Sequence, residues 1–234
     1  MTAIDEKFAQ LGGAQSFLGA PSGPEQGAPD GIGWFRHFAN GSLYWAPSTG
    51  AHEVHGAIRD KWASLGWERS GLGYPVSDET SVPGGTIRCS QFQRGLVYWI
   101  GEPDVTRAQT DYPNIRLPEG GVVTIDAGGC VQTGGHGKTW KRYVDPQGPN
   151  SDRLYHGLVQ LPGVTGGLVR IASILGQPKR LPSKDDSADP MYLILGYEDD
   201  GYSDNGYWGR EGDDGTGNQC AGLGNAYVIV TIQQ

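Results

Sequence analysis

The chain has 234 residues, enough for one large domain or two of ordinary size. Its 39 Gly and 15 Pro are about twice ordinary usage and point to a turn-rich, mainly β protein. Seven Trp, eleven Tyr and five Phe supply apolar area that a disordered chain lacks. A formal net charge of −8 argues against nucleic acid or an anionic membrane surface as a partner, since both need a basic patch. No apolar run approaches about eighteen residues, so membrane insertion is not expected. The opening MTAIDEKFAQ lacks the basic and apolar regions of a secretory signal, which reads either as a cytosolic chain or as one whose leader is missing.

In chain order, the first organising feature is an internal repeat at an offset of 54 residues. Ile4, Lys7, Leu11 and Gly12 recur as Ile58, Lys61, Leu65 and Gly66. Leu18-Gly19-x-Pro21 recurs as Leu72-Gly73-x-Pro75, and Phe38, Gly41, Tyr44 and Trp45 recur as Phe92, Gly95, Tyr98 and Trp99. Within each unit, Ile4, Phe8 and Leu11, like Ile58, Trp62 and Leu65, have the i, i+4, i+7 spacing of a short amphipathic helix. Gly12 and Gly66 follow as left-handed caps, then LGAP or LGYP as a turn. Two short strands about Asn40-Gly41 and Arg94-Gly95 complete a helix-plus-hairpin unit. The alternating Tyr44, Trp45, Tyr98 and Trp99 read as core. Trp34 and His37 have no aromatic or His counterpart at Arg88 and Gln91, so they are the better candidates for ligand contact, with Trp34 a sugar-binding candidate.

On these residues, and on the surrounding PDGIGWFRHFANGSLYWAPSTGAHEV, residues 1–102 resemble the LGFP repeat family. The third motif position holds Ala20 or Tyr74 in place of Phe. The resemblance implies an extracellular or cell-surface protein whose repeats attach to a cell wall or bind its glycans.

From about residue 102 the composition changes. GEPDVTRAQTDYPNIRLPEGG is polar and proline-punctuated, and marks a boundary between a repeat part, 1–102, and a second part, 103–234. Strand-like runs follow at 122–127, 157–161, 167–175, 191–197 and 226–232, without convincing helices between them, as in an antiparallel sandwich. GGHGKT at 134–139 lacks the first glycine and the following helix of a phosphate-binding loop. No CxxC pair suggests zinc. A Cys130–Cys220 bridge and three unpaired thiols (Cys89, Cys130, Cys220) both remain open.

The segment YEDDGYSDNGYWGREGDDGTGNQ concentrates Glu198, Asp199, Asp200, Asp204, Asp213 and Asp214. Such a loop reads either as solvated surface or as a calcium site, because calcium takes six to eight oxygens in flexible loops. Residues 103–234 resemble the LecA-type calcium-dependent galactose-binding lectins in GGVVTIDAGG, Lys138-Thr139-Trp140 with DPQG, HGLVQLPG with GLVRI, and the acidic loop before the last strand. That resemblance implies a jelly-roll β-sandwich with Ca2+ held by Asp199, Ser203, Asp204, Asn205 and the carbonyl of Gln132. Asp200, Asp213 and Asp214 are further metal candidates. It places His156, Asp152, Arg153 and Asp200 near the sugar.

The composite expectation is a non-enzymatic, calcium-dependent lectin for a galactoside or a cell-wall glycan. Its rivals are a structural or wall-targeting module that uses calcium only for stability, and a glycoside hydrolase, which needs a carboxylate pair across a cleft. Sugar identity, the number of calcium ions and the assembly of subunits stay open.

Overall fold

The structure, a computed structural model, describes residues 1–133, 141–143, 157–183, 191–199, 201–207 and 223–234, with backbone only at 133, 141–143 and 204. The fold is mainly β, with antiparallel sheets and two α-helices among the described residues. None of the described helices is long and apolar enough to cross a membrane. Two compact units divide the chain: Met1–Ser81 with Arg88–Trp99, and Val82–Ile87 with Ile100–Ile232.

The first unit begins with α1 (Ala3–Gln10). Thr2 and Asp5 cap it reciprocally, each side chain bonding the other's backbone N–H, and Asp5 and Glu6 suit the positive end of its dipole. A four-stranded antiparallel sheet follows in the order β1 (Gln26–Gly27), β2 (Trp34–His37), β3 (Gly41–Ala46) and β4 (Gly50–His55). Next comes α2 (Gly56–Leu65), ended by Gly66 at φ 102°. Strands β5 (Thr80–Val82), β6 (Thr86–Phe92) and β7 (Gly95–Gly101) follow. Ile4, Ile58 and Trp62 are buried as their spacing predicts, whereas Leu65 is 36% exposed.

The sequence offset has a conformational counterpart. Leu18 and Leu72 are both fully buried, and Gly19 and Gly73 have φ of 71° and 74°, a conformation that Cβ-bearing residues resist. Pro21 and Pro75 bridge Phe38 and Phe92. The same three backbone hydrogen bonds recur: Asn40 N–H to Leu18, Ala39 to Ala20 and Ser22 to His37 match Arg94 to Leu72, Gln93 to Tyr74 and Val76 to Gln91. One position breaks the equivalence chemically while keeping its backbone. Gly13, at φ 62°, is replaced by Trp67, at φ 57°.

In the second unit, β8 (Gln109–Arg116), β9 (Val122–Gly128), β10 (Val131–Thr133), β11 (Lys141–Tyr143), β12 (Gly157–Gln160), β13 (Val169–Arg170), β14 (Lys179–Arg180), β15 (Tyr192–Tyr197) and β16 (Tyr227–Gln233) are antiparallel where they pair. One sheet has the order β13–β12–β15–β8, and β14, β9 and β16 are successive neighbours elsewhere.

Two segments differ from their sequence reading. The polar stretch after 102 contains β8, an edge strand whose Tyr112 and Ile115 face the interior. Its ladder with β15 is interrupted between Leu193↔Tyr112 and Tyr192↔Arg116, which accommodates Pro113, a residue with no N–H to give. The apolar run 167–175 is not one strand: β13 is two residues long and Ile171–Ser173 turns as a 3-10 helix. Cys130 is in a disulfide, Cys89 is free and buried, and Cys220 lies outside the described residues.

Candidate binding site

Strands β2 and β3 pair with Trp34 directly opposite Trp45 and Phe35 opposite Tyr44. Strand alternation therefore puts the two tryptophans on one face and the Phe35–Tyr44 pair on the other. On the second face, Phe35 stacks on Tyr44 with centroids 5.2 Å apart, and Tyr44 meets Trp62 at 4.6 Å and Trp67 at 5.8 Å. This is a ring-filled core. His37 belongs to it, half-buried, bonded to Ser42 Oγ at 2.7 Å and 5.6 Å from the Trp67 ring. Burial, and after it the charge of Arg59, lower its pKa, which disfavours the charged form of the ring.

On the first face, α1 covers Leu43 and part of Trp45, with Ile4, Leu18 and Phe38 completing the cluster. The helix begins too late to cover the Trp34 end. There Thr2, Ala3, Ile4, Glu25, Trp34 and Trp45 line an open cleft of about 300 Å³. Trp34 is 47% exposed, and the Thr2 hydroxyl donates to Glu25 at the rim. An apolar floor of two indoles with a few polar groups at its edge is the composition of a small-ligand site.

The turn that presents Trp34 is fixed by the second repeat. The Tyr74 hydroxyl donates to Asp30 Oδ1 at 2.7 Å and accepts the Gly33 N–H at 3.1 Å, while Asp30 Oδ1 also takes the Ile32 N–H at 2.9 Å. Tyr74 is the third motif residue of LGYP, and Ala20 at the equivalent place could not make this clamp. Burial alone would raise the Asp30 pKa; the hydrogen bonds from Ile32, Tyr74 and Gly33 outweigh it and the net shift is downward.

Of the candidate residues named from sequence, Trp34 is thus exposed in a cleft. Trp45, read as core, is half-buried and forms the cleft's other wall. Thr2 and Glu25 escaped the sequence reading. The capping pattern Thr2-x-x-Asp5 was the available signal for the first, and nothing local marks the second.

In the second unit, Gln132 and Gly206 form an antiparallel bridge, each N–H bonding the other's carbonyl at 3.0 and 2.9 Å. This brings the Gln132 segment against Asn205, two of the places named for calcium. Asn205 is buried; its Nδ2 donates to the Val105 carbonyl at 2.8 Å, and its Oδ1 has no partner among the described residues. Gln132 is 1% exposed, and neither polar atom of its carboxamide has a partner among the described residues. Asp199 Oδ1 accepts the Gly201 N–H, and Ser203 is exposed on the turn Tyr202–Asp204. The Asp204 side chain, Asp200, Asp213, Asp214, Asp152, Arg153 and His156 lie outside the described residues. Among the described residues no three His, Cys, Asp or Glu side chains gather as a metal site.

No curated protein matches the chain. The model of the LGFP repeat family matches residues 18–70 and 72–110. Residues 18–110, in the N-terminal part, are therefore similar to LGFP repeats, which are known from surface and cell-wall associated proteins.

Proposed function

We propose that the chain is a non-enzymatic, surface-associated carbohydrate-binding protein whose repeat part holds a saccharide in the Trp34–Trp45 cleft. The observation that carries this reading is the exposed Trp34 indole opposite Trp45, above a rim supplied by Glu25 and Thr2. The C–H face of a pyranose stacks on an indole, and a carboxylate at the edge accepts its hydroxyl protons. Nothing in the cleft needs to react with the sugar for this to work. A glycan array probed with wild-type protein and with Trp34→Ala tests it. Signal on a definite glycan class that falls about tenfold in the variant supports the reading. Undiminished signal in the variant removes the cleft from it.

A second reading concerns the other unit: calcium-dependent lectin activity on a jelly-roll sandwich. It is favoured by the pairing of Gln132 with Gly206 beside Asn205, whose buried Oδ1 has no partner among the described residues. An oxygen of this kind suits a hard cation. Asn205, with Asp199, Ser203 and Asp204 from the same loop, would hold the ion, which would supply coordination positions for two sugar hydroxyls. Repeating the array in EDTA separates the two readings: the aromatic cleft is indifferent to the chelator, and a calcium lectin is not.

A further inference from the structure

Shifting the six residues that line the Trp34 cleft by the 54-residue offset gives Gly56, Ala57, Ile58, Glu79, Arg88 and Trp99. Four positions carry the same residue in both repeats: Ala3 and Ala57, Ile4 and Ile58, Glu25 and Glu79, Trp45 and Trp99. The frame around them is repeated too. Ile4 and Ile58 are each 1% exposed, Trp45 and Trp99 are both half-buried, and α1 and β1 have α2 and β5 as counterparts. The two positions that differ are Thr2, replaced by Gly56, and Trp34, replaced by Arg88.

The second replacement changes what the shared carboxylate does. In the second repeat Arg88 Nε donates to Glu79 Oε1 at 2.8 Å, Nη1 to Ser81 Oγ at 2.6 Å and Nη2 to the Glu79 carbonyl at 3.4 Å. His55 Nε2 stands 3.3 Å from the same Glu79 oxygen, and the Glu79 side chain is only 6% exposed. The guanidinium, a rigid fork of donors, thus occupies Glu79 from within the repeat. In the first repeat Glu25 is half-buried and accepts from the Thr2 hydroxyl, and among the described residues no Lys, Arg or His lies within ion-pair distance of it. The basic side chains of that region are engaged elsewhere: Arg36 with Gly23 and Asp5, Lys7 with Asp78. Trp34 offers one N–H and a flat apolar face, so the Glu25 carboxylate keeps acceptor sites for a ligand.

We infer that position 34 of the first repeat, with its twin 88 in the second, decides which repeat binds: Trp34 opens a saccharide site beside Glu25, and Arg88 closes the equivalent site by taking Glu79 for itself. The repeat part then has one such site, and the second repeat is a closed copy of it. The inference rests on the saccharide reading of the Trp34 cleft and adds the residue that restricts binding to one repeat.

The test is calorimetric titration of the full chain with the glycan that the array selects, in EDTA so that a calcium-dependent site is silent. Wild-type protein is expected to bind one saccharide per chain, and Trp34→Ala to weaken that binding about tenfold. Arg88→Trp is expected to bind two, and the double variant Trp34→Ala/Arg88→Trp to bind one again, now at the second repeat. One saccharide per chain in a folded Arg88→Trp variant overturns the inference and leaves the cleft reading standing, and so do two per chain in the wild type. Binding that Trp34→Ala leaves undiminished overturns both. If Arg88→Trp fails to fold, the reverse substitution decides. Trp34→Arg is expected to lose the saccharide and to melt higher than wild type, and adding Glu25→Gln should cancel the gain. A Trp34→Arg melting temperature that Glu25→Gln leaves unchanged shows that an arginine here does not take the carboxylate, and overturns the inference.

Discussion

At the residue scale, His55 is the clearest source of pH dependence. Its Nδ1 lies 2.7 Å from Glu53 Oε2 and its Nε2 lies 3.3 Å from Glu79 Oε1, and both carboxylates are almost fully buried. Arg88 approaches Glu79 at 2.8 Å from the other side, and Phe17 covers the imidazole ring at 4.7 Å. The hydrogen bond to Glu53 raises the His55 pKa above 6.5; burial opposes it, the charges of Glu53 and Glu79 reinforce it, and Arg88 works against them. A histidine whose folded pKa is raised stabilises the fold fully below its unfolded value and loses that contribution as pH climbs through the folded value. Thermal stability is therefore expected to decline as pH rises above 6.5, and the decline should flatten in His55→Gln. A wild-type profile level across that range would show that the imidazole is not charged between the two glutamates.

Trp67 is the second residue whose environment matters more than its identity predicts. Its left-handed backbone costs a bulky residue of order 1 kcal/mol, where the first repeat uses Gly13. The ring recovers this through contacts with Trp62 at 5.2 Å and the Arg59 guanidinium at 5.3 Å.

At the element scale, the β2–β3 hairpin and the turn before it form the binding surface, and Tyr74 holds that turn from the next repeat. Tyr74→Phe removes the acceptor of a buried Gly33 N–H and the donor to Asp30, for a loss of about 1–3 kcal/mol in chemical denaturation. It should also weaken saccharide binding at Trp34, although it does not line the cleft. Stability and affinity both unchanged would mean the clamp is incidental.

The hairpin, the helices and the motif turns were legible because period and offset agree: Leu18 and Leu72, Gly19 and Gly73, Pro21 and Pro75 each do the same work twice. Strand β8 was hidden because Pro113 and Asn114 fall where the ladder is interrupted, so the apolar alternation reduces to Tyr112 and Ile115. The 167–175 run misled in the opposite direction, since β-branched residues there supply a turn that buries Ile171 rather than a strand. Of the candidate sites, Trp34 was legible by its lack of a counterpart at Arg88. The rim of the cleft was not, because Thr2 and Glu25 are brought to Trp34 by tertiary packing and share no local motif with it.

At the scale of the whole molecule, the chain combines a part that matches the LGFP repeat model with a second, antiparallel β unit. The Cys130 disulfide is typical of chains that mature in an oxidising environment, which accords with the surface association of such repeats. Three cysteines with one free and buried predict a definite thiol count. Under denaturing, non-reducing conditions a single thiol should react with Ellman's reagent, and in the native protein essentially none. Burial pushes the Cys89 thiol pKa up to about 12 and keeps it unreactive. Three reactive thiols in the denatured chain would contradict the disulfide.

The most direct test of the central claim is a nitrogen-15 NMR titration of the indole N–H signals with the best ligand from the glycan array. The seven tryptophans give a readable set, and Trp34→Ala assigns the decisive one. The account predicts that Trp34 and Trp45 shift together and saturably, while the buried Trp62 moves little. Binding that leaves Trp34 unmoved would contradict it and place the saccharide elsewhere on the chain.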